Sequence, residues 1–193
     1  VLNVVEPGST GIGGDMFALI WMADSKKVTA INGSGRSAAA ANSKHVLSKG
    51  YDSMPTDGPD VSLTVSVPGT VHGWQLCLDT YGRMAMREIL QPAIKYAEDG
   101  YAVSEIIAYG WARSEEKLKQ RPSGDEMLLK GRAPRHGEII RLPTLARSLR
   151  TIAEGGADAF YNGTLARRIA EYVQQRGGWL SIEDMADHQP TWE

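Results

Sequence analysis

Ser9-Thr10-Gly11-Ile12-Gly13-Gly14-Asp15-Met16-Phe17 is the segment from which the rest of this sequence can be organised. Its glycines allow left-handed backbone or a close approach of two chain segments. A short apolar run, residues 17–21, follows. Asp24-Ser25-Lys26-Lys27 is polar and turn-like, and residues 27–31 carry Val28, Ala30 and Ile31. Together these predict a hairpin. Asn32-Gly33-Ser34-Gly35 then breaks the second strand. The glycine turn is not a phosphate loop, which needs Gly-Lys before Ser or Thr; here Asp15 follows Gly14. Nor is it a dinucleotide fingerprint, because Met16 stands where a glycine is needed. A carboxylate at position 15 would also repel phosphate.

The first forty residues read as β structure around this turn, and the chain beyond is mostly helical. Residues 38–49 are alanine-rich, with Asn42-Ser43 as an internal cap. Residues 61–67 are expected as a short strand. A helix is expected over 70–81, with Trp74, Leu78 and Tyr81 on one face. A second helix spans 85–98, with Pro92 as a kink or first-turn residue and Asp99-Gly100 as its stop. Further helical stretches cover 104–120, 143–154 and 164–175, separated by an irregular excursion over 121–140. Ser181-Ile182-Glu183-Asp184 forms a capping box that opens a short helix. A small β portion followed by helices makes the class α+β.

The 193 residues suit one domain or a large part of a bigger one, and 42% apolar with 23% charged residues fits an ordinary globular protein. A formal net charge of -2 sets up no field that gathers nucleic acid or acidic lipid. The basic run from 132 to 136 is short and lacks interleaved aromatics, so no nucleic-acid partner is expected. No apolar run has bilayer-spanning length, so no membrane partner is expected either. The lone Cys77 is expected to be a buried, inert thiol. There is no initiator methionine, and the apolar start Val1-Leu2-Asn3-Val4-Val5 leads us to expect a cut through an element. A missing signal peptide therefore says nothing of export.

Few residues offer chemistry. His45, His72, His136 and His188 show no metal-ligand spacing, so no metal is expected. His72, beside Trp74, is expected to pack or cap. No Gly-x-Ser-x-Gly elbow occurs, and no cofactor is implied. Glu115-Glu116 and Glu183-Asp184 read as solvated helix faces and a cap. Arg36 differs: it follows Gly35 at the end of a predicted strand, where its planar fork could grip a carboxylate by two parallel hydrogen bonds. Local sequence alone favours a surface arginine or a structural ion pair.

Several segments together resemble the large subunit of γ-glutamyltranspeptidases and their acylase relatives. The strongest runs from Asn3-Val4-Val5-Glu6-Pro7 through Gly11-Ile12-Gly13-Gly14 to Phe17. Gly35-Arg36-Ser37-Ala38-Ala39 and Val67-Pro68-Gly69-Thr70-Val71-His72-Gly73 follow in order. Gly156-Ala157-Asp158-Ala159-Phe160-Tyr161-Asn162-Gly163, Gly177-Gly178 and Glu183-Asp184-Met185-Ala186-Asp187 complete the series.

The resemblance implies an N-terminal-nucleophile hydrolase, an αββα sandwich of two sheets between helical layers, helix-rich in this segment. Residues 1–193 are then an incomplete large-subunit portion of a single domain. The family's precursors cut themselves in two, and the new N-terminal threonine of the small subunit is the nucleophile, with its own amine as base. That small subunit is the implied partner. No catalytic residue is expected in this chain, and Thr191 lies upstream of the cut. Arg36 carries over as the residue that binds the α-carboxylate of a γ-glutamyl donor, glutathione being the familiar example. Glycines 11, 13 and 14 are expected to pack the strand turn near the site, without a catalytic role. Two departures stand out: Asp15 where the family often has glycine, and small residues where a proline often follows the arginine. Both fit a divergent or acylase-like branch, which makes a carboxylate-bearing acyl amide the general substrate description. The alternatives are a cephalosporin or glutaryl acylase of the same superfamily, or a catalytically inactive structural module. The compartment, exported or cytoplasmic, stays open.

Overall fold

The computed structural model describes residues 1–56, 58–121 and 124–193. The chain divides into two compact units: residues 1–11 with 84–154, and residues 12–83 with 155–193. In chain order the elements are α1 (Leu2–Val5), β1 (Phe17–Met22), β2 (Lys27–Asn32), α2 (Ser43–Ser48), a 3-10 helix (Pro59–Thr64), α3 (Thr70–Tyr81) and α4 (Met86–Asp99). Then come β3 (Tyr101–Ala102), α5 (Glu105–Arg113), α6 (Glu115–Lys119), α7 (Gly124–Met127), β4 (Ile139–Ile140), α8 (Pro143–Tyr161), α9 (Thr164–Gln175), α10 (Ile182–Ala186) and β5 (Thr191–Trp192). The α+β class and the helix-rich character are as expected.

The unit formed by residues 12–83 and 155–193 holds the predicted hairpin. β1 pairs antiparallel with β2, from Phe17 opposite Asn32 to Met22 opposite Lys27. β5 adds to the other edge of β2, with Ile31 opposite Trp192. Alternation puts Phe17, Leu19 and Trp21 outward, at 68%, 80% and 58% exposure. Helix α3 lies against β2: Thr29 Oγ1 and the Tyr81 hydroxyl are 2.9 Å apart. Ile31, Val67, Val71, Phe160, Tyr161, Leu180 and Met185 are buried.

The other unit is helical. On α4, Met86, Leu90, Ala93, Ile94 and Ala97 repeat at helical spacing and are buried. Glu88 Oε2 accepts the Ala85 N–H at 3.0 Å at its start, and Gly100, with φ +92°, ends it. Helix α1 packs on α4. The buried Tyr101 hydroxyl, its pKa pushed up to about 12 by burial, donates to the Val4 carbonyl at 2.8 Å.

Several expectations need correction. Residues 2–5 are helical rather than β. The strand expected over 61–67 is largely a 3-10 helix. Pro59 sits in its first turn, and the Ser62 hydroxyl donates to the Arg176 carbonyl at 2.5 Å. The helix expected over 38–49 starts only at Ser43, where the Asn42 side chain accepts the Lys44 N–H at 2.9 Å. Residues 104–120 divide into α5 and α6 at Ser114. The irregular 121–140 stretch contains α7 and β4; its Pro122 and Ser123 lie outside the described residues. The helix expected over 143–154 is present; Gly156, with φ +64°, separates it from a further helical segment that runs to Tyr161. Pro92 is accommodated inside a continuous α4.

Candidate functional site

Three of the motif segments meet within one unit, at residues 14–16, 33–36 and 67–70. The Gly33 N–H donates to the Met16 carbonyl at 2.7 Å, and the Val67 N–H to the Arg36 carbonyl at 3.0 Å. The N–H groups of Gly69 and Thr70 both donate to the Gly14 carbonyl, each at 2.9 Å. The buried Thr70 hydroxyl lies 2.7 Å from that carbonyl and 3.0 Å from the Asp15 carbonyl. These contacts bring backbones so close that side chains are excluded. A Cβ on Gly35 would sit 1.4 Å from the Val67 carbonyl oxygen, and one on Gly69 would sit 1.6 Å from that of Gly33. Gly13, by contrast, would meet nothing within 4 Å. The close packing expected near the turn therefore rests on glycines 33, 35 and 69 and not on Gly13.

Arg36 projects from this junction and its side chain is exposed. Among the described residues its guanidinium makes no ion pair, so the structural-pair reading finds no support there. The backbone from Gly35 to Ala39 is held at three points. Asp15 Oδ1 accepts the Gly35 N–H at 2.9 Å, Val67 holds the Arg36 carbonyl, and Asp184 Oδ1 accepts the Ala39 N–H at 2.8 Å. Asp184 is itself fixed by the predicted capping box with Ser181, whose bonds are 2.9 and 3.0 Å. The point from which the side chain springs is thus fixed, and its planar guanidinium can pair with a planar anion.

Beside the junction lies a buried aromatic cluster. Tyr161 stacks on His72, with ring centroids 3.9 Å apart and planes 11° apart. His188 completes the group, its ring centroid 5.5 Å from both. The Tyr161 hydroxyl donates to the Pro68 carbonyl at 2.5 Å and accepts the His72 N–H at 3.2 Å. This solves a local problem. Helix α3 begins after Gly69, which offers no side-chain cap, so the first free N–H groups need other acceptors. Gly14 and Tyr161 supply them. Burial pushes the Tyr161 phenol well above its ordinary value, so it stays protonated and able to donate. Burial, with His188 nearby, lowers the His72 pKa. Burial also lowers that of His188, opposed by Asp15 and reinforced by Arg36.

His72 therefore packs, as its sequence context implied. Asp15, Tyr161 and His188 were not singled out by sequence reasoning. Asp15 carried one signal, its departure from the family's glycine; Tyr161 lay in a segment of the resemblance without a role assigned to it, and His188 was read only for metal-ligand spacing. Cys77 is only partly buried. Among the described residues no group of three or more His, Cys, Asp or Glu could hold a metal ion, and no helix is long and apolar enough to cross a membrane.

Comparison with known proteins extends these observations. The family model described as gamma-glutamyltranspeptidase matches residues 1–193. The glutathione hydrolase-like YwrD proenzyme of Bacillus subtilis (strain 168) is 38% identical over 192 residues, covering 99% of this chain and 36% of that protein. The cephalosporin acylase structure from Bacillus halodurans superposes with a TM-score of 0.90 at 38% identity, over 99% of this chain and 36% of that one. The Helicobacter pylori gamma-glutamyltranspeptidase structure gives 0.91 at 30% identity, over 100% of this chain and 55% of that one. The chain thus spans about a third of the curated relative's length. Fold, motif order and family match agree: this chain belongs to the γ-glutamyltranspeptidase family, in its large-subunit region.

Proposed function

We propose that the complete protein carrying this chain cleaves γ-glutamyl amides through an acyl-enzyme and passes the acyl group to water or to an amino acid or peptide. Arg36 binds the donor's α-carboxylate, and the nucleophilic threonine lies on a small subunit outside this chain. The observation that carries the reading is Arg36: an exposed guanidinium without an ion pair among the described residues, on a backbone fixed by Asp15, Val67 and Asp184. The outward apolar row of Phe17, Leu19 and Trp21 supports a partner segment that covers the sheet. Relatives named as proenzymes support processing into subunits.

In the proposed reaction the threonine oxygen adds to the γ-carbonyl carbon, and the amide C–N bond breaks as the leaving amine takes a proton. Water or an acceptor amine then attacks the ester, and the threonine oxygen regains its proton. Arg36 works by orientation, fixing one end of the donor so that the carbonyl is presented to the nucleophile.

A second reading is a glutaryl or cephalosporin acylase, favoured by the match to the Bacillus halodurans acylase structure. A glutaryl group places its terminal carboxylate where a γ-glutamyl group places its α-carboxylate, so Arg36 serves both. The two differ only in the donor's amino group. The complete protein should therefore be assayed on γ-glutamyl and glutaryl anilides. Faster turnover of the γ-glutamyl donor supports the first reading, and faster turnover of the glutaryl donor replaces it with the second. The 193-residue chain alone should turn over neither.

A further inference from the structure

We propose that Asp15 determines which donor the Arg36 site takes: its carboxylate receives the donor's α-ammonium while Arg36 holds the α-carboxylate, so the site selects a donor with a free amino-acid head over one that lacks the amine. The inference rests on the reading of Arg36 as a carboxylate receptor and names the substrate class of that same site.

Asp15 is fixed at both ends. Its carbonyl oxygen lies 3.0 Å from the Thr70 hydroxyl. On one side of it the Gly14 carbonyl accepts the Gly69 and Thr70 N–H groups, and on the other the Met16 carbonyl accepts the Gly33 N–H. The Asp15 side chain then crosses to the Arg36 segment, where Oδ1 accepts the Gly35 N–H at 2.9 Å. Gly35 and Arg36 are neighbours, with α-carbons ~3.8 Å apart. The carboxylate is therefore pinned about one residue from the point where the Arg36 side chain begins.

Backbone support uses only one oxygen of this carboxylate. Oδ2 has no hydrogen-bond partner among the described residues. The charge is also uncompensated: Asp15 is exposed and pairs with no cation among the described residues, Arg36 included. An anion and a cation that rise from adjoining points of one backbone clamp, both exposed and not paired with each other, make a receptor for a zwitterion. An α-amino acid carries its ammonium and its carboxylate on one carbon, so a single head meets both groups. The ammonium donates to the open Oδ2 in a charge-assisted hydrogen bond, and the carboxylate accepts from the guanidinium. A glutaryl donor has a methylene where the amine would be. It leaves Oδ2 without a donor, and it brings a negative charge towards Asp15 with no positive charge beside it.

The test is the preference of the complete protein for a γ-glutamyl over a glutaryl anilide, taken as the ratio of their kcat/KM values. The wild type should favour the γ-glutamyl donor; a preference for the glutaryl donor overturns the proposal. Asp15→Asn keeps an oxygen for the Gly35 N–H and loses the charge. It should cut the preference about tenfold or more, chiefly by raising KM for the γ-glutamyl donor, because a charge-assisted hydrogen bond is lost. A carboxylate that only supports the backbone would affect both donors alike, so an unchanged ratio in Asp15→Asn also overturns the proposal. Inhibition constants on the wild type give an answer that needs no variant to fold. L-glutamate should bind about tenfold or more tightly than glutarate, on the same charge-assisted bond, and equal binding contradicts the assignment. Arg36→Lys separates this failure from failure of the underlying reading. If it weakens both L-glutamate and glutarate, the carboxylate receptor stands, and an unchanged ratio in Asp15→Asn then removes only the role of Asp15. If it leaves both inhibitors unaffected, the receptor is wrong and the proposal falls with it.

Discussion

The segments that meet around Arg36 and the loop around Arg132 are held in different ways. Around Arg36, the segments are fixed by backbone meeting backbone: Gly33 on Met16, Val67 on Arg36, Gly69 on Gly14. In the other unit, built around α4, side-chain ion pairs support the loop around Arg132 and the helices near it. Arg132 grips Glu138 through two 2.7 Å bonds, Arg150 pairs with Glu98, and Lys119 bridges Glu115 and Glu116. A backbone clamp fixes position to a fraction of an ångström and tolerates no side chain. An ion pair at the surface leaves room to adjust and contributes little. A residue that must meet a substrate in one orientation belongs on the first kind of support.

The largest expected effect probes that contrast directly. Gly69→Ala would put a Cβ 1.6 Å from the Gly33 carbonyl oxygen and should destabilise the protein by about 3 kcal/mol or more, by chemical denaturation. Gly110→Ala, in the middle of α5 with nothing within 4 Å of its Cβ, should be neutral or stabilising by up to about 1 kcal/mol. Similar outcomes at both positions would show that the close approach of backbones at Gly69 carries no special cost.

A smaller loss is expected from Tyr161→Phe. It removes the hydroxyl shared by the Pro68 carbonyl and the His72 N–H. Leaving a buried carbonyl without its donor should cost about 1–3 kcal/mol, read in the same denaturation experiment. A neutral result would show that water serves the first turn of α3 equally well.

The smallest effect belongs to the ion pairs. The Arg132 guanidinium, with the Arg135 N–H, holds the Glu138 carboxyl at about 2, below its ordinary 4.5. A depressed carboxylate stabilises the fold above its unfolded value and loses that contribution as pH falls through the folded value. The difference in denaturation midpoint between wild type and Glu138→Gln should be small and constant above pH 4.5. It should shrink from there towards about pH 2. A difference that persists unchanged at pH 2 would contradict the ion-pair account.

How much of this was legible in the sequence follows the same division. The hairpin, α3, α4, α9 and the Ser181 capping box were readable because period and cap chemistry are local. Arg36 was readable as a residue type at a strand end, and the ordered resemblance supplied its expected role. The reason for Gly33, Gly35 and Gly69 was not readable. Each glycine excludes a clash with a segment that is distant in sequence, and no local pattern encodes that. Asp15 looked like a departure from the family; the structure gives it a place, on the Gly35 N–H. The 3-10 helix at Pro59–Thr64 is not legible locally, because the apolar–polar alternation of residues 61–67 suits a strand until Ser62 finds Arg176. Strand β5 is two residues long and exists only through pairing with β2.

The central claim is that Arg36, on a backbone held by its neighbours, receives the donor's carboxylate. Arg36→Lys in the complete protein should be compared with wild type on two donors: a γ-glutamyl anilide, and a 4-aminobutyryl anilide that lacks the α-carboxylate. KM for the first should rise about tenfold or more, because lysine cannot reproduce the two parallel hydrogen bonds. KM for the second should stay within about twofold, since no interaction with it is lost. Equal losses on both donors would make Arg36 a structural residue and contradict the account.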